Sequence, residues 1–218
     1  MSSFSRIGLG ALATLVAMVA AASPALAANV KTVYAQNAQV EHKVGDPYTG
    51  PMNGALSSEA AKFATSLGTV TCNESTMNGT ITDSGAGDGV VNGTVEVASF
   101  GNNGEAGVCP SSILGAECTV TANNLGWEAS ITAPVEAILF NFTNPSLTFN
   151  CGFGDCTYSV AMLVGTVSWN PAGISLNSSI PRTAGGFPCP ASGTVEVVYS
   201  VTGEDDAGGA IDIQVWTF

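Results

Sequence analysis

Apolar and polar residues alternate along most of the chain, and this alternation constrains the fold more than any other feature. In residues 194–201, Val195, Val197 and Tyr199 alternate with polar neighbours, and residues 127–132 repeat the pattern from Trp127. Successive side chains of a strand point to opposite faces, so period two predicts strands buried on one face. Further segments of this kind are 69–72, 77–83, 90–100, 118–122, 137–143, 147–151, 157–169, 173–177 and 211–218.

Gly, Asn, Pro and Asp separate these segments, as at residues 85–89 and 101–104. About ten short strands with close turns predict an all-β fold. We expect an antiparallel β-sandwich, with a β-barrel-like arrangement as the alternative. Only residues 55–67 offer a short helix, because Ser57 or Ser58 could cap it. We expect a single domain over residues 55–218, preceded by an N-terminal arm or edge strand over residues 28–54.

The N-terminal segment predicts export. Arg6, the apolar residues 7–22 and Ala25-Leu26-Ala27 follow the order of a secretory signal peptide, with cleavage expected after Ala27. The apolar run is shorter than the roughly 20 residues of a spanning helix, which disfavours an uncleaved anchor. We therefore expect a secreted protein, extracellular or at the cell surface, without membrane insertion after cleavage of residues 1–27.

The chain has an even number of cysteines, and in an exported chain this predicts disulfides. They are Cys72, Cys109, Cys118, Cys151, Cys156 and Cys189. Six cysteines allow fifteen connectivities, and sequence alone does not choose among them. Short hairpin loops favour Cys109 with Cys118 and Cys151 with Cys156, since opposed positions of an antiparallel pair lie within disulfide range. Our hypothesis then joins Cys72 to Cys189 as a long-range bridge.

The chain is acidic, with a formal net charge of −12. Once Arg6 is removed, only Lys31, Lys43, Lys62 and Arg182 are basic. Nucleic acid and anionic membrane surfaces would be repelled, so neither is an expected partner. Charged residues make up only 10% of the chain, so the surface must be rich in Ser, Thr, Asn and Gly. This composition is typical of β-rich extracellular modules.

A loose pattern surrounds the cysteines: Thr71-Cys72, residues 118–127, Thr157-Tyr158 after Cys156, and Cys189-Pro190. In this pattern the chain resembles small secreted, cysteine-bearing β-sandwich proteins of actinobacterial type, over roughly residues 48–202. Where such chains often carry Leu-Pro-Trp, this one has Leu125-Gly126-Trp127. The resemblance implies the fold and export, and it implies no activity.

Catalytic residues are not apparent. The only histidine is His42, and no G-x-S-x-G motif accompanies it, so a Ser-His-acid site is not expected. A glycosidase needs two carboxylates at about 5 to 9 Å. Glu96, Glu128 and Glu196 follow the polar parity of their strands, and Glu136 lies beside a strand. Outward-facing acids favour a solvent-exposed role over hydrolysis.

No cofactor is expected, and calcium is the best inorganic candidate, because it takes six to eight oxygens from flexible acidic turns. The candidate ligands are Asp83, Asp88, Glu204, Asp205 and Asp206. Turns also use Asp and Gly for their own conformational reasons. Among the tryptophans, Trp127 shares a face with apolar residues and is predicted to lie in the core, whereas Trp169 and Trp216 are candidates for ligand binding.

The expected function is that of a secreted, non-enzymatic extracellular or cell-surface module that is adhesive or binds a ligand. Its partner would be an extracellular protein or a glycan. Two alternatives stay open at this point. One is a secreted carbohydrate-active or carbohydrate-binding protein, and the other is a structural component of the cell envelope.

Overall fold

The computed structural model describes residues 30–35, 52–58, 60–84, 90–113, 115–132, 137–169, 172–204 and 210–217. These ranges consist of strands and their connections, and within them no helix has the length and apolar character needed to cross a membrane. The predicted signal segment, residues 1–27, lies outside the described residues, as does most of the arm at residues 28–54.

The described strands are numbered in chain order. They are β1 (Val30–Ala35), β2 (Met52–Ser58), β3 (Ala61–Thr65), β4 (Gly68–Cys72), β5 (Glu74–Ser84), β6 (Val91–Asn102), β7 (Glu105–Ala106), β8 (Val108–Cys109), β9 (Cys118–Asn123), β10 (Trp127–Thr132), β11 (Leu139–Thr143), β12 (Ser146–Asn150), β13 (Asp155–Ser159), β14 (Met162–Trp169), β15 (Ala172–Ala184), β16 (Ser192–Glu204) and β17 (Ala210–Thr217).

The described strand pairings are antiparallel, which confirms the predicted all-β antiparallel fold. Strands β5, β6, β10, β11, β14, β15 and β16 pair in this order, and β2 lies between β16 and β5. Strands β8, β9, β12 and β13 form a second group, which meets the end of β15. The β3–β4 hairpin pairs with the start of β16, and β1 pairs with β17. Strands β15 and β16 therefore join the parts of the fold.

Side chains from both parts meet in a common apolar core, as in a β-sandwich. Phe63 on β3 stacks on Phe149 of β12 with ring centroids 4.2 Å apart, and it meets Tyr158 of β13 edge-on at 4.8 Å. Trp127 is buried as predicted, and its indole Nε1–H donates to the Asn123 carbonyl at 2.9 Å. Aromatic packing across the core thus holds the β3–β4 hairpin against β12 and β13.

Strand parity follows the sequence pattern closely on β16. Val195, Val197 and Tyr199 are buried, whereas Glu196 and Ser200 are exposed. The period-two pattern therefore identified the inner face of this strand correctly. Val198 is the exception to the polar character of the outer face, with 65% of its side chain exposed.

The helical alternative for residues 55–67 is wrong, because this segment forms β2 and β3. In β3 the pattern has period two: Phe63 is buried between the exposed Lys62 and Ala64. Pairing with β4 on one side and β16 on the other supplies the hydrogen bonds of β3. Tertiary contacts of Phe63 override the local helix signal.

The six cysteines form three disulfides, as predicted, but the hypothesised pairing is wrong in every pair. The bonds join Cys72 to Cys109, Cys118 to Cys151, and Cys156 to Cys189. Each therefore links a cysteine to the next one along the chain, and the Cys72–Cys189 bridge does not exist.

The register of the strands explains the error. In the β12–β13 hairpin, Asn150 pairs with Asp155, so Cys156 lies opposite Phe149 and Cys151 lies in the loop. Cys109 and Cys118 do lie opposite each other on β8 and β9, yet each bonds to a cysteine of another neighbour. Spacing along the chain cannot reveal which cysteine a third strand brings close.

Two of the disulfides tie together segments that share few backbone hydrogen bonds, whereas Cys118–Cys151 joins the ends of the paired strands β9 and β12. β4 meets the segment after β8 through one isolated bridge, Val70↔Ser111, and Cys72–Cys109 lies beside it. Cys156–Cys189 attaches β13 to the loop before β16. We call the described residues of the three loops at this end of the molecule, 110–113 with 115–117, 151–154 and 185–191, the cystine end.

Candidate functional site

A long hairpin, formed by β2 and β3 against β4 and β5, is interrupted at its middle. Ser58 pairs with Ser75 and Ala61 pairs with Cys72, in one continuous register. Between these pairs the backbone makes local bonds instead: the Ala60 N–H donates to Ser58 Oγ at 3.2 Å. In the described pairings, residues 73–74 of the opposite strand lie between these two pairs, and Glu74 pairs on its other side with Gly101 of β6.

A β-bulge lies at the same level on the other side of this hairpin. Val197 on β16 pairs with Ala61, and Ser200 pairs with Ser57. Between these two pairs β16 has one residue fewer than the chain opposite, so the register shifts by one residue. A bulge of this kind bends the strand and redirects side chains, and such bulges are common beside binding sites.

The interruption and the bulge open a cleft of about 830 Å³ on the outer surface of the sheet. Its lining comes from four separate segments of the chain. The lining residues are Ser58, Ala60, Lys62, Asn73, Glu74, Ser75, Thr76, Ser175, Leu176, Asn177, Glu196, Val197, Val198 and Ser200. Seven of the fourteen lining residues carry a hydroxyl or amide group, and the exposed Val198 adds an apolar surface among them.

Of the two carboxylates that line the cleft, Glu74 is held in a structural hydrogen bond. Both of its carboxylate oxygens accept from the Gly104 N–H at 3.0 Å. Asn103 and Gly104 have positive φ angles in the tight β6–β7 turn, so Glu74 fixes that turn in place. Glu196 is exposed on β16, directly opposite Lys62 of β3 in the ladder.

The floor of the cleft is supported by a buried polar pair. Ser75 and Tyr199 are each 1% exposed, and their hydroxyl oxygens are 2.7 Å apart. Burial raises the pKa of Tyr199 to about 12, while the Ser75 hydroxyl acts in the opposite direction. The phenol is therefore neutral at physiological pH and acts as a packing and hydrogen-bonding group.

The cleft can bind a polar ligand by many short-range hydrogen bonds. Asn177 offers an amide donor and acceptor, and the hydroxyls of Thr76, Ser175 and Ser200 offer both functions. The other polar groups have partners in the fold: the Asn73 amide donates to Asn102 Oδ1, Ser58 Oγ bonds to the Ala60 backbone, and Ser75 is buried against Tyr199. The Lys62 ammonium and Glu196 carboxylate add one charge of each sign. Within the described residues, no group of three His, Cys, Asp or Glu side chains could hold a metal ion.

Among the candidate residues whose side chains the structure describes, one lies at the cleft. Glu196 lines it, whereas Glu96 and Glu128 are exposed elsewhere. Glu136 and His42 lie outside the described residues. Trp169 ends β14 and Trp216 lies on β17 opposite Lys31, but their side chains are outside the description, so a binding role for them stays a prediction.

The two acidic segments considered for calcium follow the strands β5 and β16, whose ends lie at the same side of the sheet. β5 and β16 both end beside the start of β2, where Glu204 pairs with Asn53. Asp88, Asp205 and Asp206 lie outside the described residues, and the side chains of Asp83 and Glu204 are not described. Calcium binding stays a prediction, which an unchanged melting temperature on chelation would discard.

Most residues of the cleft carry no signal in the sequence. Lys62, Asn73 and Asn177 look like ordinary surface residues of polar parity, and only the register of β3, β15 and β16 brings them together. Comparison with known proteins adds no further site residues: no family model, no curated protein and no solved structure matches the chain. The resemblance to secreted actinobacterial β-sandwich proteins therefore stays a prediction.

Proposed function

We propose that this protein is an exported, non-enzymatic binding module whose cleft takes a hydroxyl-rich ligand, such as a short stretch of an extracellular glycan. The observation that carries the proposal is the cleft itself, an open volume of about 830 Å³ lined by hydroxyl and amide groups, one ammonium and two carboxylates. Such groups exchange hydrogen bonds with sugar hydroxyls in the same way that they do with water.

Export is supported by the three intramolecular disulfides. Disulfides of this kind are typical of extracellular proteins, because oxidising compartments form and preserve them. The signal sequence predicted for residues 1–27 agrees with this location. We therefore place the proposed ligand outside the cell or on its surface.

The hydrogen bonding of the two carboxylates in the cleft supports binding without turnover. Hydrolysis of a glycosidic bond requires two acids, one on each side of the bond. In the cleft, Glu74 is committed to the Gly104 amide, which leaves Glu196 as the carboxylate that faces a ligand. One free carboxylate fits a hydrogen-bonding role.

A glycan array and polysaccharide pull-down test the proposal, with matched pairs of variants. N177A with E196Q removes two exposed groups of the cleft, and N78A with E128Q removes the same two residue types from exposed strand positions outside it. We expect the cleft pair to weaken glycan binding at least about tenfold, as for truncation of central contact residues, and the control pair to leave it unchanged.

Three results would overturn the proposal. Retention of no glycan at all, together with fractionation of the protein into the cell wall, would favour a structural component of the envelope. Release of sugar from a bound polysaccharide would favour a carbohydrate-active enzyme. Equal weakening by both variant pairs would place the binding site elsewhere.

A further inference from the structure

The most exposed large apolar side chain of the described residues is not in the cleft but at the cystine end. Phe187, in the loop between β15 and β16, is 101% exposed, compared with 41% to 65% for the other exposed large hydrophobic residues. A fully exposed phenyl ring forgoes the burial that stabilises an aromatic side chain, so it contributes no core contact to the fold. Its position therefore needs a reason other than stability.

The backbone around Phe187 is held by several specific contacts. Cys189 is bonded to Cys156 of β13, and the Cys189 N–H donates to the Gly186 carbonyl at 2.8 Å. The Arg182 guanidinium donates to the Gly186 and Cys189 carbonyls, and the Tyr158 hydroxyl donates to the Pro190 carbonyl at 3.2 Å. These contacts fix the backbone on both sides of Phe187, which lowers the conformational entropy that the loop loses on binding.

The loop offers a ligand an apolar surface and no hydrogen-bonding side chain. Residues 185–190 are Gly, Gly, Phe, Pro, Cys and Pro, and the cysteine is bonded. Glycan sites pair an aromatic ring with polar side chains that orient the hydroxyls, and this loop has none. A lipid surface is also a poor match, because the chain is strongly acidic and a single ring inserts weakly.

The chain as a whole is strongly acidic, with a formal net charge of −12. At the loop, Asp155 is exposed and its backbone carbonyl lies 3.6 Å from Cys189 Sγ. The Arg182 guanidinium, which donates to the Gly186 and Cys189 carbonyls, adds one positive charge and does not offset the acidity of the chain. A complementary surface would therefore be an apolar pocket with a basic rim.

We propose that Phe187 is the anchor of a protein-binding site, and that its ring enters an apolar pocket rimmed by lysine or arginine on an extracellular protein partner. Buried aromatic anchors supply much of the affinity of many protein interfaces, whereas the charged rim mainly governs the rate and the salt dependence of association. This inference does not depend on the ligand of the cleft.

The test places a photoreactive p-benzoylphenylalanine at position 187 of the full chain and, as a control, at Met162, which is 56% exposed at the start of β14. Both proteins are irradiated with the extracellular protein fraction of the host. A partner captured only from position 187 is then purified, and its Kd is measured for the unmodified protein, F187A and M162A.

We expect F187A to weaken binding of the purified partner at least about tenfold, M162A to leave it unchanged, and NaCl raised from about 0.05 to 0.5 M to weaken it as well. F187A should keep its melting temperature, since Phe187 packs against no core residue. Capture of the same proteins from both positions, or a Kd unaffected by F187A, would overturn the proposal. So would loss of binding by F187A to phosphatidylcholine vesicles or to a glycan array instead of to a protein.

Discussion

At the scale of single residues, the fold depends on a few side chains that combine packing with one hydrogen bond each. Tyr199 shows this most clearly, because its ring fills the core beneath the cleft and its hydroxyl meets Ser75 at 2.7 Å. Neither hydroxyl reaches water, since both residues are 1% exposed. An ionised phenolate at this position would lose its hydration without gaining a cation.

This arrangement predicts a specific loss of stability in alkali. The pKa of Tyr199 is about 12 in the folded protein, against 10.0 for an ordinary tyrosine, so the folded state binds more protons than the unfolded state between these values. The free energy of unfolding should be unaffected below pH 10 and should fall by about 2 to 3 kcal/mol as the pH rises from 10 to 12.

Urea denaturation at a series of pH values measures this loss, with Y199F as the control. Because Y199F removes the titrating group, we expect the alkaline loss to shrink in this variant to the part contributed by Tyr158, whose pKa burial also raises. At neutral pH, Y199F should cost about 1 to 2 kcal/mol, since Ser75 then lacks its partner. An equal alkaline loss in both proteins would contradict the assignment to Tyr199.

At the scale of elements, close contact between β3 and β16 holds the hairpin in place. Gly193 on β16 pairs with Thr65 of β3, and the Phe63 ring lies against the Gly193 backbone. A Cβ added at Gly193 would be 2.2 Å from the end of that ring, which is itself stacked on Phe149. The glycine is therefore required by packing and not by a turn.

Gly193→Ala should therefore destabilise the protein by about 1 to 3 kcal/mol, the usual effect of overpacking a core. Gly186→Ala is the matched control, because a Cβ at Gly186 meets no atom within 4 Å. Thermal unfolding of both variants measures the difference. Similar melting temperatures for the two would show that β3 does not pack on β16 as described.

Elements also differ in how far the sequence predicts them. β10 has the bounds predicted from alternation, because Trp127 and its apolar neighbours mark one face and glycine precedes them. For residues 55–67 the sequence favours a helix, since the Ser, Ala and Lys residues there have little β-propensity. The contacts of Phe63 in the core stabilise the strand β3 instead. The cleft could not be predicted, because a bulge between distant strands creates it.

At the scale of the whole molecule, two of the three disulfides hold together segments that share little backbone pairing, and Cys118–Cys151 joins the ends of β9 and β12. Each disulfide spans 33 or 37 residues of chain, so in the chain-entropy model each lowers the free energy of the folded state relative to the unfolded state by about 4 kcal/mol. The even number of cysteines and the export signal predict the disulfides but not their partners, since partners are set by which strands become neighbours.

The double variant C156S/C189S should therefore lower the free energy of unfolding by about 4 kcal/mol, measured in denaturant. The mixed variant C151S/C156S removes one cysteine from each of two disulfides and leaves Cys118 and Cys189 unpaired, so we expect a larger loss and intermolecular dimers on a non-reducing gel. A mixed variant as stable as C156S/C189S, without dimers, would contradict the observed pairing.

The central claim is that the cleft binds a hydroxyl-rich ligand and leaves it intact, and an NMR titration tests it most directly. The isotope-labelled protein is titrated with the oligosaccharide retained on the array. The account predicts saturable shifts of amide signals at Lys62, Thr76, Asn177, Glu196 and Ser200, with the sugar signals of the ligand unchanged in number over days. Shifts confined to other residues, or new signals of a shortened sugar, would contradict it.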